Sequence, residues 1–257
     1  QKKELLDANM VGQSSAYKAL ISNLDKVTKS NGRVMLRGPA GSGKEMAARY
    51  IYLNSSRVTG PFISIACASI EADRMEEVLF GSEENGVIKP GLLEQADNGV
   101  LFFDEVADMP KGTQSKILRV LIEQVFSRLG GDNKVRVDLR VISSTSKDLS
   151  KEIAEGNFRE ELYHRLNVVP ITLPSLEERR EDIEILSKNF IQTLHKTDGL
   201  PIRNISKESI AKLQTLAWPG NVRQLRNTIE RALILGPRFG DIEPSEILHS
   251  EISDQIS

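Results

Sequence analysis

Five short runs of almost unbroken apolar character constrain the fold of this chain more than any other feature. They are RVMLR (33–37), PFISIA (61–66), GVLFFDE (99–105), LRVISST (139–145) and VVPITL (168–173). A strand with one face in water alternates apolar and polar residues, whereas a strand covered on both faces does not. Runs of the second kind, separated by helical patterns, predict a mainly parallel five-stranded sheet with crossover helices. A helix is expected after Gly43, with Met46, Ala47, Tyr50 and Ile51 on one side. Another fits TQSKILRVLIEQ, with Ile117, Leu118, Leu121 and Ile122 as its stripe. Beyond LPSLEERREDI no further strand-like run occurs. Ser206 can cap a helix bearing Ile210, Leu213 and Leu216, and WPGN then breaks it. Asn221 can cap a second helix bearing Val222, Leu225, Ile229 and Leu233, which Gly236-Pro237 ends. The expectation is an α/β domain over residues 1–175 and a small all-helical domain over 176–257. The opening QKKELLDANM reads as mid-helix and the close SEISDQIS as a polar tail, which predicts a piece of a longer protein.

Composition narrows the function classes. With 34 basic and 36 acidic side chains the net charge is -2, so there is no global attraction to nucleic acid or to an anionic membrane. Cys67 is the sole cysteine, which excludes an internal disulfide and predicts a reducing, cytoplasmic setting. No apolar run is long enough to span a bilayer, and the start has no signal-peptide pattern.

The stretch GPAGSGKE (38–45) lies between a strand and a helix and carries the spacing G-x-x-x-x-G-K. In such a turn, formed here by Gly38, Pro39, Ala40, Gly41, Ser42 and Gly43, backbone N–H groups and the helix N-terminus face an anion. Lys44 adds a point charge for the outer phosphates. Glu45 stands where a Ser or Thr hydroxyl would ordinarily help to hold magnesium. A glycine-rich connection without a ligand would look the same in isolation. What favours a nucleotide is the acid partner sixty positions on, where VLFFDE ends in Asp104 and Glu105. A carboxylate at a strand tip can hold a magnesium-bound water, and its neighbour can orient and polarise an attacking water.

The whole order of motifs resembles the central AAA+ ATPase domain of bacterial enhancer-binding proteins, the NtrC-type regulators acting on sigma-54 RNA polymerase. The resemblance runs from MVGQS (10–14) through GPAGSGKE, VLFG, LFFDEVADMP, FREELYHRLNV and LPSLEERREDI to WPGNVRQLRN. It implies an AAA+ P-loop NTPase fold with a helical lid, ATP or ADP as ligand, and Mg2+ completed by water or by Asp104. Loops ending GKE are common in that family, so Glu45 is a family trait. By the same resemblance Val11 and Gly12 lie near the adenine, and the loop's nucleotide contacts extend through Glu45 and Met46. Arg159 and Arg165 match a pair of arginine fingers reaching across a subunit boundary, which implies a dimer or a hexameric or heptameric ring. Arg223 matches the sensor II arginine, and Thr145 with Ser146 stands at the sensor I position.

Two departures matter. Only SEENGVIKP separates Gly81 from Gly91, and the GAFTGA loop with which the family grips sigma-54 is absent from the sequence. Ala66 stands where the family carries an Asn that couples hydrolysis to loop movement. Both features resemble NtrX-like members, which belong to two-component systems of nitrogen metabolism. The family layout implies a receiver domain before Gln1, served by a sensor histidine kinase, and a helix-turn-helix DNA-binding domain after Ser257. Three functions stay open: an ATP-hydrolysing oligomerisation module that controls DNA-binding assembly without gripping sigma-54, a genuine sigma-54 activator, and a nucleotide-binding scaffold without turnover. The arginines of WPGNVRQLRNTIER are read as belonging to a lid helix, not to a DNA-recognition helix.

Overall fold

The computed structural model describes residues 10–249, so the mid-helix character expected of the opening residues and the polar tail lie outside the described residues. Among the described residues two compact units emerge, one of Leu24–Arg37 with Ile51–Ile171, the other of residues 10–23, Gly38–Tyr50 and residues 172–249.

In chain order the first elements are α1 (Ser15–Thr28), β1 (Val34–Arg37), α2 (Lys44–Leu53), β2 (Phe62–Ala66), α3 (Met75–Phe80), β3 (Gly81–Glu84) and β4 (Val87–Pro90). There follow α4 (Leu92–Gln95), β5 (Val100–Asp104), α5 (Lys111–Glu123), β6 (Val125–Ser127), β7 (Lys134–Arg136) and β8 (Arg140–Thr145). The remainder are α6 (Leu149–Ala154), α7 (Glu160–Leu166), β9 (Val169–Thr172), α8 (Ile183–Asp198), α9 (Lys207–Thr215) and α10 (Asn221–Leu235).

All five expected strands form, in the order β2-β5-β8-β1-β9. The pairings β2 with β5, β5 with β8 and β8 with β1 are parallel. Along β1, β5 and β8 every residue is buried except Arg37 and Asp104, each the last of its strand. Unbroken hydrophobicity therefore did report coverage on both faces in the centre of the sheet. The edge strands β2 and β9 are only partly covered, despite a similar look in sequence. Phe103, Leu101, Ile65, Met35, Leu162 and Leu166 belong to the core of this unit. The buried guanidinium of Arg140 closes the C-terminal turn of α1, donating to the carbonyls of Val27, Thr28 (3.2 Å) and Gly32 (3.4 Å). A fixed cation there satisfies carbonyls that the helix leaves unpaired.

Two hairpins were not expected. β3 and β4 pair antiparallel around Asn85-Gly86, whose φ angles of +52° and +78° fit a two-residue turn of the type that matches strand twist. The segment SEENGVIKP is thus a built hairpin. A second hairpin, β6–β7, joins it: Leu129 donates to Gly81 (3.0 Å) and Glu83 to Leu129 (2.8 Å). Arg128, between β6 and β7, pairs with Glu83 of β3 (3.5 Å) and with Glu94 of α4 (2.6 Å). In α5, Ile117, Leu118 and Leu121 are buried as the stripe required, but Ile122 is 47% exposed because a helical stripe is narrower than the apolar run.

The helices α8, α9 and α10 surround a core that includes Trp218, Leu213, Leu225, Ile229 and Leu233. Trp218 keeps its indole N–H satisfied by the Leu213 carbonyl at 2.9 Å. Ser206 caps α9, accepting from the Ser209 N–H as its position predicts. Asn221 does not cap α10. Its φ is +52°, Gly220 holds the cap position, and the Asn221 side chain is used for longer-range contacts described below.

Candidate nucleotide site

The glycine-rich loop leaves the end of β1 and enters α2 at Lys44. Gly41 has φ +78°, and a Cβ there would lie 2.2 Å from the Gly220 carbonyl oxygen, so the position admits glycine alone. That close approach brings the start of α10 onto the loop. Asn221 Nδ2 donates to the Ala40 carbonyl (3.0 Å) and the Arg223 N–H donates to the Gly41 carbonyl (3.1 Å). Asn221 Oδ1 meanwhile accepts from the Leu176 N–H (2.9 Å). One amide therefore links loop, lid helix and the chain entering the lid.

Lys44 is buried, with its ammonium on the carbonyls of Gly38 (2.8 Å) and Pro39 (3.1 Å). The Ser42 hydroxyl is buried and has no hydrogen-bond partner among the described residues. A cation, an orphaned buried hydroxyl and the N-terminus of α2 form a cradle suited to phosphate oxygens. Glu45 is exposed and pairs with Arg49 at 3.2 Å along the helix, while Met46 is half-buried. Arg223 extends an exposed guanidinium that makes no hydrogen bond or ion pair to the described residues.

Val11 and Gly12 are held by a network that the sequence did not single out. Asp182, fully buried, accepts from the N–H groups of Gln13 (2.7 Å) and Ser14 (2.9 Å), the Ser14 hydroxyl (2.5 Å) and Arg179 Nε (2.9 Å). Arg179 donates onward to the Val11 carbonyl (2.8 Å) and lies over the Tyr17 ring. Burial alone would raise the Asp182 carboxyl. The Ser14 hydroxyl, the two N–H groups and the guanidinium outweigh it and hold the group below its ordinary value. Val11 packs against the lid core.

The acidic corner belongs to the other unit. Asp104 ends β5 and Glu105 turns the chain sharply at φ +52°. Ser144 Oγ donates to Asp104 Oδ1 (3.0 Å) and accepts the Glu105 N–H (3.1 Å). Ser146 gives both its N–H and its hydroxyl to Glu105 Oε2, each at 3.0 Å. The structure thus brings Ser144 and Ser146 to the acids. Thr145 is buried between them and spends its hydroxyl on the Lys147 backbone (3.1 and 3.0 Å). Ser144 went unnoticed in the sequence because alternation along a strand was masked by the run SST. Burial, then Asp104 and Asp108, pushes the Cys67 thiol up to about 12, so it stays protonated and inert at neutral pH.

Arg159 and Arg165 stand at opposite ends of α7. Arg159 is half-buried and tethered, its N–H on Gln114 Oε1 (2.9 Å) and its Nε on the Lys111 carbonyl (3.1 Å). The Arg165 side chain is exposed, and its guanidinium makes no hydrogen bond or ion pair among the described residues.

Residues 10–172 match the family described as the sigma-54 interaction domain. The chain belongs to the sigma-54 interaction domain family. Residues 177–255 match the AAA+ ATPase lid domain, as the helical bundle after β9 requires. The nitrogen assimilation regulatory protein NtrX of Azorhizobium caulinodans is 52% identical over 236 residues, covering 91% of this chain and 52% of the relative. The DNA-binding transcriptional regulator NtrC of Escherichia coli strain K12 is 38% identical, covering 97% of this chain and 55% of the relative. NtrX of Brucella abortus, solved in complex with ATP, superposes with a TM-score of 0.87 at 46% identity, over 95% of this chain and 57% of the other. Its ADP complex gives 0.87 at 44% identity, over 99% and 60%. The chain spans about half the length of the curated relatives it matches. The fold is that of an AAA+ P-loop NTPase with a helical lid.

Proposed function

We propose that this domain binds and hydrolyses ATP and uses the bound nucleotide to control assembly of an NtrX-like two-component transcription regulator. One observation carries the reading: the start of the lid helix hydrogen-bonds the carbonyls of the phosphate loop itself, through Asn221 on Ala40 and the Arg223 N–H on Gly41. A ligand that reshapes this loop must act on the lid. The solved complexes of Brucella NtrX with ATP and with ADP support the choice of ligand.

In this reading Lys44 turns from the loop carbonyls to the outer phosphates, and Ser42 gains a partner. Val11 and Gly12 flank the base, with their position fixed by Asp182 and Arg179. Mg2+, when bound, neutralises phosphate charge, and Asp104 holds it through water. Glu105 orients the attacking water. Arg223 senses the γ-phosphate from the lid, and Arg159 or Arg165 of a neighbouring copy completes the site. The functional division is an α/β part to residue 175 and a lid from residue 176. Contacts with DNA and with a sensor histidine kinase belong to other domains of a longer cytoplasmic protein. Lys44→Ala is expected to weaken ATP binding at least about 10-fold, the worth of one charge-assisted contact. Titration with a fluorescent ATP analogue measures it, and unchanged affinity refutes the loop as the site.

A second reading, a sigma-54 activator, is favoured by one feature. The β3–β4 hairpin presents Val87 and Ile88, 61% and 49% exposed, where the family's contact loop would stand. ATP-dependent open-complex formation with purified sigma-54 polymerase would establish it over the first. Equal background phosphate release from wild type and Glu105→Gln would instead leave a nucleotide-binding scaffold.

A further inference from the structure

We propose that Arg37 is a positioning residue for Arg165: through Tyr163 and Asn167 it locks the last turn of α7, so that the finger is held ready for a neighbouring copy. The inference rests on the trans-acting role given to Arg165 above and names what holds that residue in place. Arg37 ends β1, and its Nη2 donates to the Tyr163 hydroxyl (2.8 Å) and to Asn167 Oδ1 (3.0 Å). Asn167 Nδ2 donates to the same hydroxyl at 3.2 Å, so the three side chains close a triangle. All three are half-buried, and the Arg37 guanidinium lies 5.9 Å from the centre of the Tyr163 ring. Tyr163 and Asn167 flank Arg165, two positions before it and two after. The Asn167 N–H also closes the helix on the Tyr163 carbonyl (2.9 Å). A second arginine acts from the other end of the strand. Arg33, just before β1, donates to the carbonyls of Arg165 (3.4 Å) and of Leu121 in α5 (2.8 Å). Burial, and then the charge of Arg165, hold the Arg33 guanidinium below its ordinary value. Like charges this close discourage Arg165 from folding back on β1. Its backbone is thus fixed while its head stays exposed. A helix of seven residues is too short to be rigid by itself. Fixing the root of a long side chain lowers the entropy lost when its head must meet a phosphate.

The test uses the full-length protein as wild type, Arg37→Met, Tyr163→Phe, Arg165→Ala and the double variant Arg37→Met/Arg165→Ala. Turnover at saturating ATP and magnesium, at concentrations where association is complete, and the dissociation constant of a fluorescent ATP analogue are measured for each. Tyr163→Phe keeps the ring and removes only the hydroxyl, which guards against an Arg37 variant that fails to fold. Both single variants should lower kcat about 10-fold, the size of a hydrogen bond to a charged group. The dissociation constant should stay within about twofold, although Gly38 of the phosphate loop follows Arg37 directly. The double variant should be no slower than Arg165→Ala alone. Mixing supplies the reading that a merely structural role would not move. Glu105→Gln chains, which offer fingers without turning over, should restore activity to Arg165→Ala chains. Glu105→Gln/Arg37→Met chains should restore about 10-fold less, and only through the finger they present. Equal rescue by the two donors overturns the positioning role, as do wild-type rates in both single variants or a double variant slower than Arg165→Ala. A loss confined to nucleotide affinity also overturns it, since Arg37 would then serve the loop of its own chain. If Arg165→Ala keeps the wild-type rate, or gains nothing from Glu105→Gln chains, the trans-acting finger itself falls and the proposal with it.

Discussion

At the residue scale, Asp182 gathers distant parts of its unit: four donors reach one buried carboxylate. Replacing it with alanine strands the Arg179 guanidinium in a buried place and frees the segment bearing Val11 and Gly12. A loss of about 3–5 kcal/mol of stability is expected, measured by urea unfolding. The pH dependence has a definite sign. The folded carboxyl lies below its ordinary value, so its contribution is fully present above the ordinary carboxylate pKa of about 3.9. It is lost as pH falls from there through the folded value. Asp182→Asn should therefore flatten the stability curve below about pH 4 relative to wild type. The sequence contained this residue inside LPSLEERREDI, but as one acid among several. Only burial distinguishes Asp182 from its exposed neighbour Glu181.

At the scale of elements, two features hold pieces that would otherwise end badly. Arg140 closes α1 by binding its terminal carbonyls from the first position of β8. Arg140→Met keeps the packing volume but orphans those carbonyls, and should cost about 2–4 kcal/mol in chemical denaturation. The β3–β4 hairpin depends on Gly86 at φ +78°. Gly86→Ala should destabilise the chain by about 1–2 kcal/mol, the cost of a left-handed non-glycine residue. Faster amide exchange confined to residues 81–90 would locate the effect. The pair Asn85-Gly86 is a strong local hairpin signal, yet the hairpin was not predicted from the sequence. The flanking residues concealed it: Glu83, Glu84 and Lys89 are not strand formers, and the pairing is supported by Leu129 and Arg128 from far along the chain.

At the scale of the whole molecule, the proposed arginine fingers make the active unit larger than one chain. Specific ATPase activity should rise with protein concentration and level off as copies associate. Arg165→Ala should lower kcat by about 10³-fold while leaving ATP affinity within a few-fold. A rate per chain that is independent of concentration would mean that neither Arg159 nor Arg165 acts in trans. Arg165 is the better placed of the two, since it is exposed and uncommitted, whereas Arg159 is already tethered to Lys111 and Gln114. That distinction was invisible in FREELYHRLNV, where both read as arginines on a short helix.

The sequence by itself determined the sheet, its five strands, the loop after β1 and the acid pair after β5. These features are local, being written in unbroken hydrophobicity and in residues at fixed spacing. Tertiary structure decided what each polar group does. It turned Asn221 from a helix cap into a bond on the phosphate loop, gave Glu105 to Ser146 and not to Thr145, and made Asp182 the anchor of the Val11–Gly12 segment. The physical reason is that a hydrogen bond depends on ångström-scale distance and direction between residues far apart in sequence, whereas burial of an apolar run depends only on its pattern.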